Sequence, residues 1–360
     1  MKIAIFGAGQ LAMMMIDASV DLGHEFIVID PSPRPPASKL SKHYMVEYND
    51  EEILKFVASE CDVATIDFEN VDISALEYLE NYIKVSPPSG ALKICQDRLY
   101  EKMLFTELGI NVTEFHSVDN LKDLEKLISK NKSNYLLKSR RFGYDGKNQF
   151  KCDADKDLLN NLLSKNGCII EKVVDFTTEV SLICVRQDEG TIFFYPLVEN
   201  FHEKGILRYS IFPYSNDSLQ DLAEEYATSL LNYFDYVGVL VIEFFVSKDG
   251  SLVANEMAPR VHNSGHWSIE GCSMSQFESH IRAITGHLTK FADGFKPSLM
   301  MNILSKYPDR EKINEMGKHY MHSYDKEERE LRKLGHITKV ADQKEELLKD
   351  LKRYLDILNN

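Results

Sequence analysis

The chain is 360 residues long, 44% hydrophobic and 27% charged, with a formal net charge of −14. That length suits two or three domains around a substantial core. The acidic balance excludes a protein that follows nucleic-acid phosphates with a broad basic face, while leaving room for a local pocket that binds a small anion.

Residues 1 to about 90 alternate strand and helix signals as a parallel α/β unit does. Strands are expected at 2–6, 26–30 and 63–68, and helices at 11–22, 51–59 and 74–82, the last with Ser74 as its cap. Between the first strand and first helix lies Gly7-Ala-Gly-Gln-Leu-Ala12, a G-x-G-x-x-A turn, and Asp30 ends the second strand where a dinucleotide-binding unit has its ribose-binding acid. The glycines guarantee only that backbone N–H groups and a helix N-terminus can approach some phosphate, and which phosphate stays open. Gln10 adds an amide that can bond a ligand oxygen. Thr65-Ile-Asp-Phe-Glu-Asn70 follows the third strand. Ligands in open α/β sheets gather at strand carboxyl ends, so Glu69 and Asn70 are expected in a cleft.

Residues 98–108 read as an amphipathic helix stopped by Gly109, 121–130 as a helix, 135–138 as a strand and 158–165 as a helix. Lys138 ends that strand just before a polar loop with two glycines, Gly143 and Gly146. A strand-held lysine is a fixed positive charge, and mobile glycines let backbone amides close over phosphates. The Walker pattern is absent. Ser139-Arg140-Arg141 by itself reads as a basic surface turn. Tyr144 and Asp145, between the glycines, place a phenol and a carboxylate where a closing loop could orient a substrate amine.

Residues 168–174 read as a strand that opens a larger C-terminal region, with strands at 179–186 and 191–195 and a helix at 219–234. Asp249-Gly250, flanked by alternating apolar residues, marks a hairpin. A two-residue turn pairs Lys248 with Ser251 and sets Glu243 opposite Glu256 on one face, Cβ atoms about 5 Å apart. Such carboxylates repel unless they share a counter-ion, and Mg²⁺ accepts two of them when it also carries nucleotide phosphates. The loop after Glu256 crowds Arg260, His262, Asn263, Ser264 and His266 together, side chains suited to anions and protons. A helix is expected at 275–285. Lys326, Arg329, Arg332 and Lys333 read, on composition, as a charged helix face, and Leu347, Leu348, Leu351, Tyr354, Leu355 and Leu358 form a helical stripe suited to core packing. Six scattered cysteines, Cys61, Cys95, Cys152, Cys168, Cys184 and Cys272, read as free thiols of a reducing compartment. No apolar run reaches membrane-spanning length and no secretory leader is read, so a cytoplasmic protein is expected.

The run from Asn255 to His266 resembles the signature of the N5-carboxyaminoimidazole ribonucleotide synthetase family of ATP-grasp enzymes, and the resemblance continues in order from the Gln10 loop to His336. Gly7 to Leu11 is similar to the family's G-x-G-Q-L loop. Thr65 to Asn70 is similar to T-x-E-F-E-N, with Asp67 for its first Glu, and Arg141 to Gln149 to the lid loop, with Asn148 for its last glycine. The resemblance implies an α/β (α+β) ATP-grasp architecture: a Rossmann-like parallel-sheet substrate domain (1–97), a small mobile lid (98–168) and a larger mixed-sheet catalytic domain (169–360). It implies ATP and Mg²⁺ as cofactors. Arg98 and Lys138 would hold phosphates, with Gly143, Tyr144, Asp145, Gly146, Lys147, Asn148 and Gln149 closing over them. Glu171, Lys172, Val173 and Val174 would form the adenine hinge, with Glu179 on the ribose and His202 on the nucleotide. Glu243 and Glu256 would bind metal beside Asn255. Gly9, Gln10, Leu11, Glu69, Asn70, Lys326, Arg332 and Lys333 would hold the ribonucleotide. Arg260 and His262 would serve bicarbonate or carboxyphosphate, with Tyr144, Asp145 and Lys147 at the substrate amine. The implied reaction carboxylates 5-aminoimidazole ribonucleotide with ATP and bicarbonate, in a homodimer. The alternatives are an ATP-grasp ligase that activates formate or another carboxylate, and an NAD-dependent oxidoreductase using the Gly7 loop.

Overall fold

The computed structural model describes residues 1–130, 134–143, 149–151, 163 and 167–358. Among the described residues three sheets carry the architecture. The first holds β1 (Lys2–Phe6), β2 (Glu25–Ile29), β3 (Lys42–Tyr44), β4 (Val63–Ile66) and β5 (Lys84–Val85), all parallel, in the order β3-β2-β1-β4-β5. β1 is apolar from Ile3 to Phe6 because both its faces are covered: Ile3 and Ile5 enter one core, Ala4 and Phe6 another, and all four are 0% exposed. The chain runs outward through β2 and β3, then returns past β1 to build β4 and β5. That reversal opens a crevice between the carboxyl ends of β1 and β4, so the loops 7–10 and 67–70 meet there.

The short edge strands β3 and β5 and a helix at Ser89–Cys95 were not expected, and two expected helices differ in detail. The first helix is Gln10–Asp17, with a separate 3₁₀ turn at Val20–Leu22 in place of one helix through residue 22. The helix Ile73–Leu79 is capped by Asp72, which keeps extended backbone angles and accepts the Ser74 N–H at 2.9 Å; Ser74 already lies inside the first turn.

The second sheet holds β6 (Phe115–Val118), β7 (Tyr135–Ser139), β8 (Gln149–Lys151) and β9 (Cys168–Lys172), antiparallel in the order β6-β9-β7-β8. β9 therefore belongs between β6 and β7 and does not open the large region. Its Cys168 and Ile170 complete a small core with Val118, Leu124, Tyr135 and Leu137.

The third sheet collects β10 (Phe176–Arg186), β11 (Ile192–Phe194), β12 (Val198–Glu203), β13 (Ile206–Phe212), β14 (Gly238–Ser247), β15 (Leu252–Ala258), β16 (Ser298–Leu304), β17 (Tyr320–Ser323) and β18 (Lys333–Val340). Its order is β15-β14-β10-β12-β13-β16-β18-β17, with β11 beside β10. Every ladder in it is antiparallel, where a mixed sheet was expected; tight connections such as 203–206 return a strand beside its predecessor. One face of this sheet shares a core with the first: Ile3, Ile5 and Val28 cluster with Val239, Val241, Trp267 and Phe277. The helix Lys344–Leu358 buries Leu347, Tyr354 and Leu358 in the core beneath β16 and β18, as its stripe suggested, while Leu348 is 49% exposed.

Candidate active site

β14 and β15 do not form the two-residue hairpin read from Asp249-Gly250. The turn closes one residue earlier, with Ser247 N–H donating to the Ser251 carbonyl at 2.9 Å and Gly250 at φ +84°. Val246 then faces Leu252 and Phe244 faces Ala254, one residue out of the expected register. A bulge at Asn255 restores it, and Glu243 faces Glu256. Two irregularities cancel, so the carboxylate pair stands where a simpler turn had placed it. Lys102 holds the bulge, donating from Nζ to the carbonyls of Ala254 (3.0 Å) and Asn255 (2.7 Å).

The Glu243 side chain is 13% exposed. Its buried Oε1 has no hydrogen-bond partner among the described residues. Burial, opposed by His202 and reinforced by Glu256, pushes its pKa up to about 7. An orphaned carboxylate oxygen opposite a second carboxylate fits a divalent cation. Among the described residues no group of three or more His, Cys, Asp or Glu side chains could hold one. Glu243 and Glu256 would therefore supply only part of a Mg²⁺ shell, as suits an ion that also binds nucleotide phosphates.

On the nucleotide side, Lys138 donates to Glu171 Oε2 at 2.9 Å, and Lys102 Nζ lies 3.9 Å from the same oxygen. Burial alone would raise Glu171, yet the two lysines hold its pKa down at about 2. The Glu171 carboxylate is thus a counter-ion to both lysines. The Lys172 and Val173 amides donate to the carbonyls of Glu114 and Asn134, each at 2.9 Å, tying this segment into the small sheet. Arg98 donates to the carbonyls of Ser139 (3.1 Å) and Gly143 (2.8 Å) and stands 3.9 Å from Glu256. Its neighbours grip the same loop: Asp97 accepts two bonds from Arg140 (3.0 and 2.7 Å), and Gln96 Oε1 accepts from Arg141 (2.8 Å). Ser139-Arg140-Arg141 is therefore a docked segment, not a free surface turn. A Cβ on Gly143 would overlap the Arg98 guanidinium. His202 Nδ1 stands 2.8 Å from Glu179 Oε2. Burial opposes charge on that ring, but Glu179 and Glu243 outweigh it and raise its pKa. Gln149 opens β8 opposite Lys138. Tyr144, Asp145, Gly146, Lys147 and Asn148 lie outside the described residues, as do Cys152 and nearly all of 158–165.

On the other side, Asp67 is 4% exposed and accepts the Gly9 N–H at 2.6 Å. A Cβ on Gly7 or Gly9 would collide with its carboxylate, which explains both glycines. Asp30 accepts the amides of Ala8 (3.0 Å) and Ser32 (2.7 Å). Both carboxylate oxygens thus help hold the loops after β1 and β2, a structural use that the position of Asp30 in the sequence did not reveal. Lys326 donates to Gln10 Oε1, and burial together with Arg332 lowers its pKa to about 8. Residues 324–332 form no helix, contrary to the composition-based reading: Leu331 has φ +60°, and Arg332 turns back to the Glu327 carbonyl at 3.3 Å. Arg260 Nη2 lies 2.8 Å from Glu69 Oε1, and its buried Nε has no partner among the described residues. Gln276 pins His262 through both backbone groups, accepting its N–H (3.0 Å) and donating to its carbonyl (2.6 Å). Burial, with Arg260 and Lys333 nearby, pushes the His262 pKa well below its ordinary value.

One cleft of about 680 Å³ brings together Gly9, Gln10, Leu11, Glu69 and Asn70 from the first sheet, Arg98 and Gly143 from the nucleotide side, and Glu243, Glu256, Arg260, His262 and Lys333 from the large sheet. Sequence reasoning missed Glu101 and Lys102. Both are buried, and Glu101 accepts the Met257 N–H at 2.8 Å. The signal was present: Arg98, Glu101 and Lys102 share the helical face of Phe105, and charges on an apolar face need a reason.

Comparison with known proteins agrees along the whole chain. The ATP-grasp domain family matches residues 103–277, the ribonucleotide synthetase preATP-grasp domain residues 1–96, and the phosphoribosylaminoimidazole carboxylase C-terminal domain residues 298–350. Over 340 residues the chain is 41% identical to N5-carboxyaminoimidazole ribonucleotide synthase of Pseudomonas aeruginosa, covering 94% of each protein. It matches the crystal structure of N5-carboxyaminoimidazole ribonucleotide synthetase from Thermus thermophilus with TM-score 0.91, at 39% identity over 99% of both chains. It also matches the N5-carboxyaminoimidazole synthase of Aspergillus clavatus, solved with ADP and 5-aminoimidazole ribonucleotide, with TM-score 0.88 at 28% identity, over 99% of this chain and 98% of that one. With identity this high over nearly its full length, the chain belongs to the N5-carboxyaminoimidazole ribonucleotide synthase family of ATP-grasp ligases.

Proposed function

We propose that the chain converts ATP, 5-aminoimidazole ribonucleotide and bicarbonate into N5-carboxyaminoimidazole ribonucleotide, ADP and phosphate, as a cytoplasmic homodimer in purine biosynthesis. The observation that carries this reading is the Glu243–Glu256 pair, with Arg98 near Glu256 and the Arg260–Glu69 pair in the same cleft. Mg²⁺ held by the two glutamates would neutralise charge on the transferring phosphoryl group. Arg98 and Lys138 add fixed positive charge toward the phosphates, and Glu171 keeps Lys138 in place. Glu179 serves the nucleotide's ribose, His202 contacts the nucleotide, and the backbone of residues 171–174 bonds its adenine. Residues 1–97 act as substrate domain, 98–172 as lid, with β9 counted there because it completes the small sheet, and 173–360 as catalytic domain.

Bicarbonate is a poor electrophile until one oxygen becomes part of a phosphate leaving group. Arg260, steadied by Glu69 and with its Nε unpartnered, holds the carboxyl oxygens of bicarbonate and then of carboxyphosphate. Carboxyphosphate breaks down to CO₂ and phosphate inside the closed cleft. The substrate amine attacks CO₂, forming the N–C bond, and its proton passes to the phosphate that carboxyphosphate has just released. Tyr144, Asp145 and Lys147 position that amine, and Gln10, Lys326, Arg332 and Lys333 hold the ribonucleotide phosphate. The test is phosphate release from Mg-ATP with 5-aminoimidazole ribonucleotide, with bicarbonate supplied or rigorously removed. Release that needs both compounds supports the reading. Release indifferent to bicarbonate overturns it and makes formate the next co-substrate to test.

A further inference from the structure

A neutral imidazole donates from one nitrogen and accepts at the other, so its role depends on which nitrogen carries the proton. In His262 the surroundings of Nδ1 answer that question. The backbone N–H of Ser264 points to Nδ1 at 3.3 Å, and the Ser264 hydroxyl lies 2.9 Å from it. A backbone N–H only donates, so Nδ1 presents its lone pair and the proton of the neutral ring sits on Nε2.

Behind Ser264 runs a buried relay with one consistent direction. Ser210 Oγ donates to Asn200 Oδ1 (2.7 Å), Asn200 Nδ2 to Ser181 Oγ (2.9 Å), and Ser181 Oγ to Ser264 Oγ (2.8 Å). The Ser264 hydroxyl hydrogen is left for Nδ1. The three serines are 0% exposed and Asn200 is 5% exposed. They come from β10, β12, β13 and the loop after β15, so the large sheet itself sets the polarity of the relay. The relay could run the other way if the Asn200 amide turned over, but the Ser264 backbone N–H cannot reverse.

We propose that Ser264, backed by Ser181, Asn200 and Ser210, is a positioning residue that holds His262 as its Nε2–H tautomer. His262 then meets the carboxyl oxygens in the cleft as a hydrogen-bond donor and is not the base that receives the substrate amine's proton. Its own proton stays on Nε2 throughout. This rests on the placing of bicarbonate beside Arg260 and His262.

The test is ¹⁵N NMR of the full-length protein labelled at histidine, with the His262 signals assigned by their loss in His262→Gln. The expected result is an unprotonated Nδ1 and a proton-bearing Nε2, and a proton-bearing Nδ1 overturns the proposal. In Ser264→Ala the backbone N–H remains and only the shorter hydroxyl contact is lost, so the two nitrogen signals should move partway toward an average, and kcat should fall about tenfold, the loss of one ordinary hydrogen bond, with KM for ATP within about twofold. A folded Ser264→Ala protein with unchanged signals and kcat overturns the positioning role. Should that variant not fold, Ser181→Ala breaks the relay one step further back and is read in the same way. The NMR measurement needs no turnover, so its failure is distinct from failure of the bicarbonate assignment, which phosphate release decides.

Discussion

Replacing Glu171 by glutamine keeps the side chain's shape and removes its charge, leaving Lys138 and Lys102 buried without their shared counter-ion. Glu171 is 4% exposed. Its pKa drops from an ordinary 4.5 to about 2 in the fold, which corresponds to about 3 kcal/mol of stabilisation at neutral pH. Removing one partner of a buried ion pair costs about 3–5 kcal/mol, so two independent routes agree. The depressed pKa sets the sign: the stabilisation is complete above pH 4.5 and is lost as pH falls through about 2. Fluorescence of the single tryptophan, Trp267, would miss the effect because that residue belongs to a different core. Amide hydrogen exchange in β7 and β9, at Leu137 and Ile170, reads the small sheet directly. At neutral pH, protection in Glu171→Gln should fall about a hundredfold, and the gap to the parent should narrow below pH 4.5. Protection within about threefold of the parent at neutral pH would refute the counter-ion role.

Glu256→Ala should abolish phosphate release while far-UV circular dichroism and the unfolding midpoint stay unchanged, because the side chain is 46% exposed and its loss relieves repulsion on Glu243; turnover near the parent's would sink the metal assignment. Gly143→Ala should lower stability by about 1–2 kcal/mol, since the overlapped Arg98 guanidinium is buried and bonded to the Ser139 and Gly143 carbonyls. Displacing that guanidinium should raise KM for ATP about tenfold or more, the worth of a charged hydrogen bond. The Lys326 ammonium, with its pKa lowered to about 8, is charged below that pH and neutral above it. Its hold on the ribonucleotide phosphate should weaken as pH rises, so kcat/KM for the ribonucleotide should decline through about pH 8. Lys326→Met should lack that alkaline limb, and a limb unchanged in the variant would assign it to another group.

Much of the site was legible because its signals are local. Gly7 and Gly9 announced a close backbone approach, and the structure supplies Asp67 as the group they make room for. The Glu243–Glu256 pairing survived an error in the turn because the bulge at Asn255 offsets it. Asp30 shows the limit: its position after β2 suited a ribose, but position alone does not reveal that the Ala8 and Ser32 amides already hold the carboxylate. The basic residues at 326–333 show another, since composition favours a helix there while the tertiary structure holds residues 326–332 as a turning loop, with Lys326 on Gln10, that leads into β18 at Lys333.

By itself the sequence determined β1, β2 and β4 of the first sheet and the helices that follow β1, β3 and β4, the core stripe of the last helix, and which side chains had chemistry to offer; the short edge strands β3 and β5 escaped it. What it determined follows from hydrophobic period, glycine placement and residue type, all of which act over a few neighbouring residues. Only the tertiary structure decided that β9 joins the small sheet, that Glu171 serves Lys138 and Lys102, that residues 96–98 grip the loop after β7, and that Ser264 orients His262. Most of these partners lie tens of residues apart, and the last depends on buried groups drawn from three strands. Such choices are made by the register of paired strands and the need to satisfy every buried charge and polar group, and no local pattern records them.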